Sequence, residues 1–374
     1  MAERETTVGM SLLRRVNLPL LLWTAALVAY GILMVWSATS GSASGAAMVQ
    51  RQAIGVFVGL LPMLALALLD YKVLQHWTGP LMVGLTSLLI AVLLPGLGIV
   101  VNGQRNWLAL GSIRLFQPSE PAKLVLIVVL AAVIAEHKGR IERPADVARI
   151  LGYVAVPLAL LLLEPDLGTA LVFIAIAMGM LLIGGLRMRW FAVFAVAGAL
   201  LVGVAFATPV LKQYQRDRLT VFINPNVAPK GAGYNLAQSK IAIGSGGLAG
   251  KGLRSGTQSS LHFIPERHTD FIFSVLGEEL GFVGALVLLA LYLALLVTAL
   301  ETAASARDLF GALIATGLIT MWTFQILVNI GMTVGIMPIT GIPLPFMSFG
   351  SSFMVTNLAG VGMLLAVWAR RYGT

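Results

Sequence analysis

The 374-residue sequence has no cysteine, only four histidines and only 11% charged residues. Without cysteine there can be no disulfide, no thiolate metal ligand and no thiol nucleophile. The histidines are scattered and show no H-x-x-x-H spacing, which argues against a zinc enzyme. Soluble domains carry about 25% charged residues, so the shortage of charge, with 58% hydrophobic residues and a mean hydropathy of +0.91, points to lipid as the main solvent. The formal net charge is +9, but the 25 Lys and Arg residues are spread thinly between apolar runs and form no continuous basic face. No nucleic acid is therefore expected as a partner. The sequence shows neither a fixed-period repeat nor a low-complexity tract.

Charge clusters and Gly/Pro punctuation divide the chain into apolar segments near 18–38, 53–69, 78–95, 121–135, 148–163, 167–186, 190–210, 271–300, 308–334 and 349–369. The expected fold is an all-α integral membrane protein, a polytopic bundle of about ten transmembrane helices. The first apolar run is too long for the core of a cleaved signal peptide and leads straight into another span. Two segments stand out. Pro121 to Ala135 makes only about 22 Å of helix against a hydrocarbon core of about 30 Å, and its neighbour contains Pro157. Such spans either line a cavity or are accommodated by tilting and bilayer thinning.

With the N-terminus inside, thirteen Lys and Arg fall in inner segments and only Arg51, Arg105, Arg114 and Lys123 in short outer ones, so both termini are expected in the cytoplasm. Residues 1–16 then form a cytoplasmic tail, and 17–374 one membrane domain. That domain includes a large extracytoplasmic loop, 208–270, with eight cations against three carboxylates. A cationic, Gly-rich outer surface suits an anionic ligand, or lies against anionic headgroups of membrane lipids.

Within this loop, the glycine cluster from Gly244 to Gly252 resembles a nucleotide loop but fails as one: Ser245 stands where the first glycine belongs, and Gly252 follows Lys251 where Ser or Thr is required. A phosphate-cradling nest and a flexible loop both remain open. Asp270, beside Arg267 and His268 at the outer end of span eight, is placed to act as a general base. The alternative is a helix cap paired with Arg267. At the start of span four, Ser119 is expected to be the N-cap, and Lys123 to enter the membrane paired with Glu120. Asp166 is expected to cap span six.

Three groups of residues carry a family resemblance. They are Asn102-Gly103-Gln104-Arg105-Asn106-Trp107 with Gln117-Pro118-Ser119-Glu120; Pro265-Glu266-Arg267-His268-Thr269-Asp270-Phe271 with Gly277-Glu278-Glu279; and Asn329-Ile330-Gly331-Met332 with Gly341-Ile342-Pro343-Leu344-Pro345-Phe346. Together they resemble the SEDS proteins (shape, elongation, division, sporulation), and the elongation branch, RodA-like, more than the division branch. The chain departs from the family pattern in having a single glycine, Gly350, before Ser351 and Ser352.

The resemblance implies a peptidoglycan glycosyltransferase of the bacterial cytoplasmic membrane that polymerises lipid II with inversion, using Asp270 as base. It implies substrate contacts from Arg105, Trp107, Glu120, Lys123, Lys240, Lys251, Arg254, Arg267, His268, Thr269 and Ser351, and a divalent cation, magnesium or manganese. It also implies a class B penicillin-binding protein as partner, together with other elongation-complex proteins. Small residues on spans eight and nine (Gly281, Gly284, Ala285, Gly311, Ala312, Ala315) suggest where the partner's helix docks. A lipid II flippase and a scaffold of the synthesis complex are the competing readings.

Overall fold

The computed structural model describes residues 16–40, 44–101, 104–110, 113–208, 213–224, 231–260 and 263–372. Most of the expected tail, Asn102 and Gly103, and the loop cations Lys212 and Lys230 lie outside the described residues. In chain order the elements are α1 (Leu18–Ala38), α2 (Gly45–Leu68), the short α3 (Tyr71–His76) and α4 (Thr78–Leu93), then strands β1 (Gly98–Val101), β2 (Gln104–Leu110) and β3 (Ile113–Phe116). Next come α5 (Ser119–Ala135), α6 (Pro144–Leu163), α7 (Leu167–Ile183) and α8 (Met188–Ala207). The outer loop contributes α9 (Gln213–Ile223), α10 (Ala232–Gly246) and α11 (Thr257–Ser260). The chain ends with α12 (Ile272–Ala304), α13 (Leu309–Val334) and α14 (Ser351–Ala369).

Ten of these helices coincide with the ten expected spans. Six are long and apolar enough to cross a membrane; α4, α7 and most of α8 are shorter apolar helices. The tenth is α5, which carries Glu120 and Lys123. The protein is thus a multi-pass, mostly helical membrane protein. The expectation of no strands needs one addition, because the 98–116 connection forms a three-stranded antiparallel sheet in the order β1-β2-β3.

The short fourth span has a simple explanation. Every residue of α5 except Pro121, Val125 and Ala135 is buried, and the helix packs against α4, α6, α7, α13 and α14. A helix wrapped by protein has no bilayer thickness to match, so bilayer thinning plays no part. Its N-terminus also departs from expectation: Ser119 is the first helical residue rather than the cap, and its Oγ accepts from Gln117 Nε2 at 2.9 Å. Asp166 does cap α7, accepting from Thr169 N at 3.0 Å.

Polar groups gather at the two ends of the bundle. On the side that carries the end of α14, Lys72 pairs with Asp308 at 3.1 Å, Arg149 with Glu136 at 3.1 Å and Arg187 with Glu142 at 3.0 Å. Between α13 and α14 the chain dips back into the bundle: Phe346 and Met347 are fully buried, and Tyr292 Oη donates to the Pro345 carbonyl at 2.6 Å. Irregular backbone survives at such depth only where protein surrounds it.

Span eight is broken at Gly281 (φ 63, ψ −158), which frees backbone groups on both sides of the break. The glycine cluster takes them up. Lys251 N donates to Glu278 O at 3.0 Å and Gly252 N to Glu279 O at 2.9 Å, while Phe282 N donates to Gly247 O at 2.9 Å and Val283 N to Leu248 O at 3.1 Å. The cluster is therefore neither a phosphate cradle nor a flexible loop; it splices the outer loop into a membrane helix. Glu278, fully buried beside it, receives Lys251 Nζ at 2.8 Å and Gln258 N at 2.9 Å.

Four of the six small residues of spans eight and nine, Gly281, Gly284, Gly311 and Ala315, are used by the chain itself, while Ala285 and Ala312 are partly exposed. A Cβ on Gly284 would meet the Leu280 side chain and Tyr30 Oη, one on Gly311 would meet the Tyr71 ring, and Ala315 is fully buried. Close approach of a partner helix at those positions loses its basis.

The splice predicts opposite outcomes for neighbouring glycines. Gly250 has φ +78, and a Cβ there would sit 2.2 Å from Glu279 O, whereas a Cβ on Gly244 meets nothing within 4 Å. Gly250→Ala should cost about 2 kcal/mol or more, and Gly244→Ala should be neutral or stabilising by about 0.5 kcal/mol. Thermal unfolding in detergent micelles checks this, and equal melting of Gly250→Ala and the unaltered protein would contradict the splice.

Candidate active site

Asp270 lies in the turn that leads from the outer loop into α12, and this turn is pinned from several directions. Arg267, buried, donates from Nε to the Ala38 carbonyl at the end of α1 at 2.6 Å. Ser348 Oγ donates to Thr269 O at 2.6 Å, Phe349 N to His268 O at 2.9 Å and Asn329 Nδ2 to Asp270 O at 2.9 Å. The His268 ring packs on Phe349 with 5.5 Å between centroids. The backbone of residues 267–270 is thus held by α1, by α13 and by the re-entrant segment, leaving the Asp270 carboxylate as the group that projects from a fixed frame.

This geometry removes the capping alternative. The N-cap of α12 is Phe271, with no side-chain cap bond, and the Arg267 guanidinium is directed to Ala38. Glu279, further along α12, accepts from Ser37 Oγ.

The Asp270 carboxylate faces Gly341. A Cβ on that glycine would lie 3.4 Å from both Asp270 Oδ2 and Arg218 Nη1, so the bare backbone leaves room where acid and cation converge. Burial pushes the Asp270 carboxyl up to about 6; Arg218 opposes the rise, and Glu266 and Asp166 add to it. Burial moves His268 downward; Glu266 opposes that shift and Arg267 adds to it. In the sequence, Arg218 is one of eight loop cations with nothing to single it out; it lies 52 positions from Asp270 and only the fold joins them.

A second tier lies beneath. The N-termini of α5, α7 and α14 meet there: Gln117 Nε2 bonds Ser119 Oγ and reaches Asp166 Oδ2 at 3.5 Å, while Gln117 N donates to Ser352 Oγ at 3.3 Å. Lys123 Nζ pairs with Glu120 at 2.8 Å and lies 5.1 Å from the Phe353 ring centroid, both charges buried. The positive helix ends and Lys123 are answered there by the carboxylates of Glu120 and Asp166.

The other cations named from the sequence do not join this cluster. Arg105 Nη1 donates to Leu93 O at 3.2 Å, Lys251 is committed to Glu278, and Arg254 lies 5.0 Å from the Trp36 ring centroid. Lys240 passes over Gly335, and Ser351 Oγ donates to Arg51 O at 3.2 Å. Trp107 sits half-buried on β2 opposite Ile99. Thr269 Oγ1 is bonded to Glu266 at 3.1 Å. Among the described residues, no group of three or more His, Asp or Glu is placed to hold a metal ion.

Residues 18–372 match the cell cycle protein family FtsW/RodA/SpoVE. The chain is 40% identical to the peptidoglycan glycosyltransferase MrdB of Escherichia coli, over 94% of this chain and 93% of that one. It is 36% identical to the stage V sporulation protein E of Bacillus subtilis, over 94% and 96%. Among solved structures, it is similar to a chain of a peptidoglycan synthase complex described as coordinating polymerization and crosslinking (TM-score 0.82, 35% identity, 96% of this chain and 99% of that one). It is also similar to the rod shape determining protein RodA of Thermus thermophilus (TM-score 0.72, 33% identity, 96% and 98%).

Because Arg218 holds the Asp270 titration down against burial, Arg218→Gln should move that midpoint above about 6. The protonated-carboxyl band in infrared difference spectra, with Asp270→Asn as the blank, reads the shift. A midpoint that stays or falls would remove Arg218 from the site.

Proposed function

The chain belongs to the FtsW/RodA/SpoVE family of cell cycle proteins, and from that premise we propose that it is a peptidoglycan glycosyltransferase that polymerises lipid II at the outer face of the bacterial cytoplasmic membrane. Both termini are then cytoplasmic and the Asp270 turn faces outward, in line with the bias of Lys and Arg toward the opposite connections.

The observation that carries the reading is Asp270: a carboxylate on a fixed turn, partly buried, with its acidity drawn toward neutrality and a cation beside it. A general base works best when its pKa lies near the working pH. In the proposed reaction Asp270 takes the proton from the 4-hydroxyl of the acceptor sugar. The freed oxygen pair bonds to the anomeric carbon of the donor from the face opposite its leaving group. The bond from that carbon to the diphosphate oxygen breaks, its electron pair leaves with undecaprenyl diphosphate, and the configuration inverts. No step is assigned to a metal; magnesium or manganese enters this proposal only as a counter-ion brought by the diphosphate.

The flippase reading has less support. Its cargo needs a polar route through the bundle, yet the middle of α5 is apolar and buried, and the re-entrant segment plugs the space beside α1 and α12. A crosslinking partner, a class B penicillin-binding protein, belongs to the proposal by likeness to the synthase complex. On spans eight and nine the surface left for its helix is the outward apolar face of α12, with Phe282, Leu286, Leu289 and Leu293, in place of the small residues used internally.

Asp270→Asn should abolish glycan synthesis from labelled lipid II, read on gels, while melting close to the unaltered protein. In the unaltered protein the polymerisation rate should rise with pH through about 6 as Asp270 ionises. Chains made at the normal rate by well-folded Asp270→Asn, or a rate with no acid limb, would sink the base assignment.

A further inference from the structure

Glu164 ends α6 at the outer side, two residues before Asp166, and is not needed by the mechanism above. It is 1% exposed, and neither Oε1 nor Oε2 has a hydrogen-bond partner. A carboxyl without partners in such a place is costly unless it is protonated and something else completes its bonding. Burial, then the neighbouring Asp166, raises it to about 8, so near neutral pH it is an acid O–H.

The groups around Glu164 are already engaged. Asp166 is occupied by Thr169 N and Oγ1 at 3.0 and 2.8 Å, and Gln104 Nε2 holds the intervening Pro165 carbonyl at 3.2 Å. The charged groups beyond are the Glu120–Lys123 pair on α5, closed on itself, and Asp270; both acids sense Asp166. Arg105 on β2 is turned to Leu93 O. Among the described residues, no cation answers Glu164.

The segments that meet this turn carry further buried atoms without partners: Asn106 Oδ1 on β2, Thr340 Oγ1 beside Gly341, and Asn329 Oδ1, whose amide nitrogen anchors Asp270. Thr340 belongs to the same junction, since a Cβ on Gly168, at the start of α7, would lie 2.9 Å from its carbonyl. One buried acid that donates and several amide or hydroxyl oxygens that accept complement an uncharged ligand bearing both kinds of group. A sugar with hydroxyls and an acetamido group has that chemistry; a diphosphate does not.

We propose that Glu164 is a specificity-determining residue of the same site, donating a hydrogen bond as a carboxylic acid to an uncharged oxygen of the bound amino sugar. This rests on the glycosyltransferase reading but not on Asp270 being the base. Glu164 makes and breaks no covalent bond; it loses its hydrogen-bond donor when it ionises.

The test is equilibrium binding of fluorescent lipid II to the full chain in nanodiscs, from about pH 6 to about pH 9.5, for the unaltered protein, Glu164→Gln, Glu164→Ala and Asp270→Asn. The unaltered protein should bind with constant affinity near neutrality and lose affinity above about pH 8. Glu164→Gln, whose amide donates at every pH, should bind within about twofold of it at neutrality and show no alkaline loss. Glu164→Ala should bind about five- to tenfold more weakly than the unaltered protein near neutrality, the range for one neutral hydrogen bond, and its affinity should not fall further above about pH 8. Melting curves confirm that each variant is folded. Alkaline loss that persists in Glu164→Gln, or normal binding by Glu164→Ala, overturns the proposal. Asp270→Asn should make no polymer while its affinity still falls above about pH 8, so failure of the base assignment appears in polymer synthesis and failure of the Glu164 assignment in the shape of the affinity curves. An unaltered protein that binds no lipid II at any pH defeats this proposal together with the glycosyltransferase reading.

Discussion

A helix that breaks near a membrane must give its freed amides and carbonyls to something, because hydrocarbon accepts none of them. In this protein the break at Gly281 is closed by the backbone of residues 247–252, donors and acceptors running both ways across the gap. Much of the outer face depends on that exchange. The splice anchors α10 to span eight, and the helical turns before the break lead directly back to the Asp270 turn. The glycines serve close backbone approach, since a Cβ on Gly246 would fall 1.9 Å from Gly277 O.

The same demand for partners explains why the site lies at the outer end. Charges buried in mid-bundle would need complete compensation, whereas a tier near the interface can combine helix N-termini, short loops and access to water. The Glu120–Lys123 pair is buried in that tier, and it is neutral as a unit. Burying both charges is costly, so the pair is weak evidence for stability. Its position at the N-terminus of a helix packed on nearly all sides suits a role in setting the local field.

The spans were legible because a run of about twenty apolar residues has few alternative fates. The sheet was not: its strands are four to seven residues long and lie in a connection whose length gave no periodicity to read. The glycine cluster was visible but not interpretable, since its partner is a backbone break that no side chain announces. Asp270 was legible from the edge of an apolar run and from the resemblance. Arg218, Ser348 and the Asn329 bond were not, because they come from elements far apart in the chain. The small residues of spans eight and nine were read as an outer surface, but spacing alone cannot say which face of a helix its own neighbours have already filled.

Two carboxyls of the outer tier are both raised by burial and yet end in different states. Asp270 reaches about 6 because Arg218 opposes the rise, whereas Glu164, with no cation among the described residues acting on it and Asp166 adding to the effect, reaches about 8. Between these values one is a charged acceptor and the other a neutral donor, a division of roles produced by the placement of a single guanidinium. The sign of the linkage shows the cost. A carboxyl raised above its unfolded value contributes its stabilisation below that unfolded value and loses it as pH rises through the folded one. Near neutral pH the fold has therefore given up that contribution at Asp270, which must be ionised to act as a base, and all but roughly a third of it at Glu164. The rigid frame from Arg267, Ser348 and Asn329 is what holds an ionised Asp270 in a place where burial alone would keep it protonated.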